Sequence, residues 1–228
     1  MSLFAIADTH LSFGTNKPMD TFAGWENYTE RLQKNWNKVV GADDDVVIAG
    51  DISWAMDFNE LEADFDFLEA LNGNKIILKG NHDFWWNTLS KMNRFIQEKG
   101  YKTIKFLYNN SYECGPCSVC GSRGWIYDSE EEQDKKILLR ETSRIERSLQ
   151  SSQNSSKLLF LHYPPVSQNF KCEEIIELIN KYGIKKCYFG HLHGEAAKYA
   201  FEGEQDGVDY KLISCDRLKF TPYLILKY

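Results

Sequence analysis

Lys75-Ile76-Ile77-Leu78-Lys79 runs directly into Gly80-Asn81-His82-Asp83. A short β-branched apolar run is how a buried strand reads, and a glycine followed by polar residues marks its end. The pattern occurs four more times. Residues 3–7 stop at Asp8-Thr9-His10, residues 46–49 at Gly50-Asp51, residues 157–161 at His162, and residues 186–189 at Gly190-His191-Leu192-His193. Between these strands, residues 25–40, 59–71, 84–99, 130–150 and 173–181 carry helical spacing; in the second stretch Leu61, Phe65 and Leu68 share one face. Strand alternating with helix predicts an α/β fold with helices layered outside a sheet. The tail departs from this. Residues 195–201, 208–214 and 223–228 read as strands without helices between them, and residues 106–125 as a hairpin. A second, more antiparallel sheet is therefore predicted.

With 43% apolar and 26% charged residues in a chain of 228, disorder and disulfide-stapled miniproteins are excluded. No linker divides the chain, so residues 1–228 are expected to form a single domain. The 27 basic and 33 acidic side chains leave a net charge of −6, which disfavours nucleic acid and anionic membrane as partners. A phosphate substrate stays compatible, because bound cations can supply positive charge. The amino terminus lacks a basic region, and no apolar run approaches the roughly 18 residues of a membrane span. The six cysteines then read as reduced thiols, and the expected location is the cytoplasm.

All five histidines of the chain, His10, His82, His162, His191 and His193, fall at or just past a predicted strand end. Ligand sites of open α/β sheets lie outside the carboxyl ends of the strands. The loops therefore bring Asp8, His10, Asp51, Asn81, His162, His191 and His193 into one cleft. Imidazole and carboxylate together suit zinc, iron, manganese or cobalt, and the lack of thiolate argues against a structural zinc site. Seven such ligands are too many for one tetrahedral ion. Two ions about 3.5–4 Å apart, sharing a carboxylate, would use them all.

The ordered set Asp-x-His, Gly-Asp, Gly-Asn-His-Asp, His and Gly-His-x-His, spanning residues 8 to 193, resembles the calcineurin-like metallophosphoesterase superfamily. The resemblance implies a four-layer α/β/β/α sandwich of two mixed sheets flanked by helices, with a dinuclear centre. Transferred position by position, Asp8, His10 and His193 hold one ion, Asp51 bridges, and Asn81, His162 and His191 hold the other. His82 faces the substrate and protonates the leaving group, following in-line attack on phosphorus by a hydroxide that the ions activate. The implied activity is hydrolysis of a phosphomonoester or phosphodiester. The expected cofactors are two ions, manganese or an iron/zinc pair, and the expected partner is a small phosphorylated molecule, nucleotides included. The alternative is a protein-binding scaffold that keeps the fold without catalysis.

The run Gly50-Asp51-Ile52-Ser53-Trp54-Ala55 lacks the second aspartate and the arginine of the superfamily's phosphoprotein phosphatases, which disfavours that branch. Its wording resembles bacterial phosphohydrolases instead. Trp54, an aromatic plane beside the ligands, and Arg123, a guanidinium able to grip phosphate with two bonds, are the candidate substrate contacts. Asp83 is a candidate for orienting the local turn or His82. Cys114, Cys117 and Cys120 have knuckle-like spacing but lack a fourth ligand, so a hairpin is the expected reading.

Overall fold

The computed structural model describes residues 1–126, 132–168 and 170–228. Eleven strands form two sheets. The first contains β1 (Ser2–Ile6), β2 (Asp45–Ala49), β3 (Asn74–Leu78), β4 (Ile104–Phe106) and β11 (Tyr223–Lys227), in the order β11-β1-β2-β3-β4. The second contains β5 (Tyr112–Cys114), β6 (Cys117–Ser122), β7 (Ser156–Leu161), β8 (Lys186–Phe189), β9 (Gly203–Gln205) and β10 (Val208–Leu212), in the order β5-β6-β7-β8-β10-β9. Both are parallel inside. Within the two sheets, among the described residues, the antiparallel pairs are β11 with β1, β5 with β6 and β9 with β10.

Three apolar layers account for the stacking. Leu3, Ala5, Val47 and Ile76 of the first sheet meet Val119, Leu158, Phe160 and Tyr188 of the second, and this layer joins the two sheets face to face. On the other face of the first sheet, Phe4, Ile6, Val46 and Ile48 pack against α1 (Tyr28–Val39), α2 (Phe58–Ala70) and α3 (Leu89–Lys99). On the outer face of the second, Leu159, Leu161, Cys187 and Phe189 pack against α4 (Glu132–Ser151) and α5 (Glu173–Lys181). The result is the expected four-layer sandwich. Its central strands are buried on both faces, which is why they read as unbroken apolar runs.

Local chemistry sets the ends of these elements. Asp57 caps α2 by accepting the amides of Asn59 (2.8 Å) and Glu60 (3.1 Å). Past its other end, the buried Lys75 ammonium donates to the carbonyls of Leu71 and Gly73, both at 2.8 Å, and burial pushes its pKa down to about 8.

The structure corrects three expectations. The five motif-bearing strands do not share one sheet: β1, β2 and β3 lie in the first, β7 and β8 in the second. Residues 195–201 form a 3-10 helix over Gly194–Tyr199 rather than a strand. The helix-forming run Glu195-Ala196-Ala197-Lys198 has no neighbouring strand to pair with except through Ala200, which bridges Ser167. Residues 84–88 are not helical, because Trp85 and Trp86 fold into the outer apolar layer before α3 begins. The hairpin within 106–125 is present as β5 and β6. It puts Cys114 in the layer between the sheets and Cys120 in the outer one, so these thiols cannot converge on one ion. Among the described residues no helix is long and apolar enough to cross a membrane.

Candidate metal centre

The carboxyl ends of β1, β2, β3, β7 and β8 meet along the seam between the two sheets. Asp8 follows β1, Asp51 follows β2, Asn81 and His82 follow β3, His162 follows β7, and His191 follows β8. Three of these turns hold four non-glycine residues in the left-handed region: Asp8 (φ 58°) and His10 (φ 43°) after β1, Asp51 (φ 51°) after β2 and His191 (φ 69°) after β8. That conformation costs on the order of 1 kcal/mol or more per residue and persists only where surroundings enforce it, commonly at functional sites.

Ligand-type atoms converge in two groups, Asp8, His10 and Asp51 in one and Asp51, His162 and His191 in the other, each within 4.8 Å. Asp51 belongs to both. Asn81 completes the second group, its Oδ1 lying 2.7 Å from His162 Nε2 and 2.9 Å from His191 Nδ1. The backbone amide of His191 donates to both oxygens of Asp8 at 3.0 Å, which ties the β1 and β8 loops together across the seam.

These residues fit cations. His10 is buried, yet neither ring nitrogen has a hydrogen-bond partner. Buried polar atoms are nearly always satisfied, and an ion ligated by the imidazole would satisfy this one. His162 Nδ1 donates to the Ala49 carbonyl at 3.1 Å, and Nε2 faces Asp51 at 3.4 Å. Burial opposes charge on this ring, but Asp51 raises its pKa to about 9, so Nε2 carries a proton that a bound ion would replace. A second hydrogen bond of this kind is how ligating histidines are oriented. Burial pushes His10 and His191 down to about 3, keeping both in the neutral form that ligates. Burial opposes charge on Asp51 too, but His162 and then His10 hold its carboxyl below the usual range.

Placement of the remaining expected residues is mixed. His193 stands beside His10, ring centres 5.2 Å apart, but contributes to neither group. His82 lies at the rim: its backbone amide donates to Asp51 Oδ1 at 2.8 Å, its ring is 4.4 Å from that of Trp54, and its buried Nδ1 is unpartnered. Trp54 stacks on His10 at 5.0 Å, with the Lys17 ammonium 4.7 Å from its ring centre. One face of its ring is thus taken by a side chain of the site. Arg123 points away from both groups, toward Glu141 and Trp125.

The profile of the calcineurin-like phosphoesterase family matches residues 1–195. The chain belongs to that family. Among curated proteins it is 32% identical over 105 residues to an uncharacterised protein of Methanocaldococcus jannaschii, a match covering 44% of the chain and 54% of that protein. It is 25% identical over 174 residues to a probable cyclic nucleotide phosphodiesterase of Coxiella burnetii, covering 68% of the chain and 62% of that protein. The chain thus aligns with between half and two thirds of these relatives. The solved structure of phosphopantetheinyl hydrolase from Mycobacterium tuberculosis superposes with a TM-score of 0.60 at 13% identity, covering 100% of this chain and 96% of that one, which is a likeness of fold. In this member of the calcineurin-like phosphoesterase family the two groups that share Asp51 are the candidate metal sites.

Asp83, the sequence's candidate for orienting the local turn, does so, and sequence reasoning missed one further residue, Lys17. Asp83 accepts the amides of Asp51 (3.0 Å), Ile52 (2.8 Å), Ser53 (3.2 Å) and Gly80 (2.7 Å), and so ties the loops after β2 and β3. The motif pointed to it without revealing how many donors it collects. Lys17 comes from a loop with no motif at all, and only the fold brings it over Trp54.

Proposed function

We propose that this phosphoesterase hydrolyses a phosphomonoester or phosphodiester with two metal ions, manganese or an iron/zinc pair, in the cytoplasm. The observation that carries the proposal is the sharing of Asp51 between two ligand groups around an otherwise unpartnered, buried His10. Asp8 and His10 would hold one ion with His193 drawn in from alongside, Asn81, His162 and His191 the other, and Asp51 both. When bound, the ions supply an activated water and neutralise charge on the phosphoryl oxygens.

The chain's own residues do the rest. His82, at the rim and not among the grouped ligands, is placed to protonate the leaving oxygen, a role worth roughly 10²–10⁴-fold in rate. Its backbone amide bond to Asp51 Oδ1 anchors the His82 turn beside the shared carboxylate. Lys17, held over Trp54 and beside Phe84, presents a cation at the entrance where a phosphate ester arrives. Trp54 supports the rings of His10 and His82 and offers its remaining edge to the substrate. The intact set of ligands and acid argues against a silent scaffold.

The test is hydrolysis of p-nitrophenyl phosphate and bis-p-nitrophenyl phosphate by protein stripped with EDTA and reloaded with Mn, Zn, Fe or Mg. Metal-dependent turnover of either ester supports the proposal and separates monoesterase from diesterase. A protein that binds no metal and turns over neither ester overturns it.

A further inference from the structure

Outside the metal centre, cations from three separate elements line one recess, and two of them pair with one carboxylate. Glu141 lies on the buried face of α4, where Leu138, Ile145 and Leu149 already anchor the helix. It accepts hydrogen bonds from Ser122 Oγ at 2.8 Å and Arg144 at 2.6 Å, with Arg123 at 3.4 Å. Lys79, at the end of β3, lines the same recess, and no carboxylate among the described residues forms an ion pair with it. Three positive charges thus border one partly desolvated corner, where Glu141 pairs with the two arginines and Lys79 feels the Asp83 and Glu141 carboxylates without an ion pair to either. Arg123 Nε is buried there without a partner.

Desolvated charge and unpaired donors are costly unless something satisfies them. The recess has a volume of about 20 Å³, with Trp86, Tyr108 and Asn109 at its rim. That is room for about one water-sized group, so the oxygens of an anionic head group enter and a ring does not. Guanidinium and ammonium donors in this arrangement suit phosphate or carboxylate. The recess also borders the metal centre. Lys79 continues into Gly80-Asn81, and the Arg123 carbonyl accepts the amides of His162 (3.0 Å) and Tyr163 (2.9 Å), whose ring lies 4.3 Å from that of His191.

We propose that the Lys79–Arg123–Arg144 recess binds a second anionic group of the substrate, carried apart from the phosphoryl group that reacts. The proposal rests on the phosphoesterase reading above and deepens it: the substrate is a phosphate ester bearing a further phosphate or carboxylate. Arg123 then grips this second anion and not the reacting phosphorus.

The test uses metal-loaded protein and whichever p-nitrophenyl ester it hydrolyses. Inhibition constants are measured for two matched pairs: adenosine 3′,5′-bisphosphate against adenosine 5′-monophosphate, and 3-phosphoglycerate against glycerol 3-phosphate. The first pair reports a second phosphate, the second a carboxylate. The expected result is tighter binding of the two-anion member of one pair by about ten- to hundredfold, the weight of one charge-assisted hydrogen bond. That ratio should fall toward one in Lys79→Gln, which breaks no ion pair, and in Arg144→Gln. Ratios near one for both pairs in the parent protein, or ratios unchanged in Lys79→Gln, overturn the proposal. If no ester turns over with any metal, calorimetric titration of the metal-free protein with inorganic pyrophosphate decides instead, and a failure to bind metal as well would overturn the phosphoesterase reading separately. Saturable binding weakened by Lys79→Gln supports an anion site, and its absence or insensitivity to that change rejects it.

Discussion

Asp83 Oδ2 accepts the backbone amide of Asp51 at 3.0 Å, although the two residues belong to different strand ends. The same carboxylate takes the amides of Ile52, Ser53 and Gly80 and the indole N–H of Trp85. One buried side chain thereby sets the path of both loops that flank the shared aspartate. Replacing Asp83 by Ala strands several buried donors at once and should cost about 3 kcal/mol or more in urea unfolding. Metal affinity at both groups should fall with it. Unchanged stability would show that these amides find other partners.

Gly80 is required for space. A Cβ there would lie 2.1 Å from both the backbone nitrogen and Oδ1 of Asp51, a distance no real contact reaches. Gly80→Ala should therefore displace the Asp51 carboxylate and lower metal content and turnover together. An alanine variant with full metal occupancy by elemental analysis would contradict the close approach.

Asp51 is the one residue common to both ligand groups. Asp51→Asn should deplete the two ions together, whereas His10→Ala should deplete mainly one. Calorimetric titration with Mn or Zn distinguishes these outcomes, and retention of two ions by Asp51→Asn would remove the bridging role.

His82→Ala should keep the metal content and lose roughly 10²–10⁴-fold in turnover of an alkyl ester, with a smaller loss for a p-nitrophenyl ester, whose leaving group needs less help from an acid. Equal losses for both leaving groups would exclude proton donation by His82. Loss of metal would make it a ligand.

Asp64 carries a pH dependence away from the ligands. It is buried, bonded to Ser53 Oγ and to the Phe13 amide, and burial raises its pKa from 3.8 to about 6. The folded state therefore holds the proton more tightly than the unfolded one. Asp64 costs nothing below about pH 4, and stability falls as pH rises from about 4 to 6, by about 3 kcal/mol in total, and levels off above that. Asp64→Asn should remove this fall. The stability difference between variant and parent, from urea unfolding at pH 4.5 and 7.5, should shift toward the variant at the higher pH. A difference independent of pH would show that Asp64 is ionised throughout.

Much of the site could be read without coordinates, for a physical reason. Buried parallel strands must be apolar along their whole length and must end abruptly, so the residues just past each end stand out in the chain. Asp8, Asp51, Asn81, His162 and His191 were legible this way, and the structure brings all five together. His193 was legible as a neighbour only, since the position of its ring depends on how the loop after β8 turns into the 3-10 helix at Gly194–Tyr199. Residues 195–201 misled because the strand reading overlooked the helix-forming run Glu195-Ala196-Ala197-Lys198, which becomes the 3-10 helix.

The amino-acid order by itself determined the strand ends, the residue types that gather there and hence the metal-directed chemistry, because these follow from local periodicity and ligand character. Tertiary structure alone decided how the five strands divide between two sheets, that Lys17 lies over Trp54, and that Lys79 and Arg123 come to the corner that Glu141 occupies. Those are contacts between residues far apart in the chain, and side-chain packing between layers, which no local pattern encodes, sets their distances. Glu141 is the intermediate case. An acid on the apolar face of a helix is visible in the sequence, but which cations answer it appears only once α4 is laid against β6.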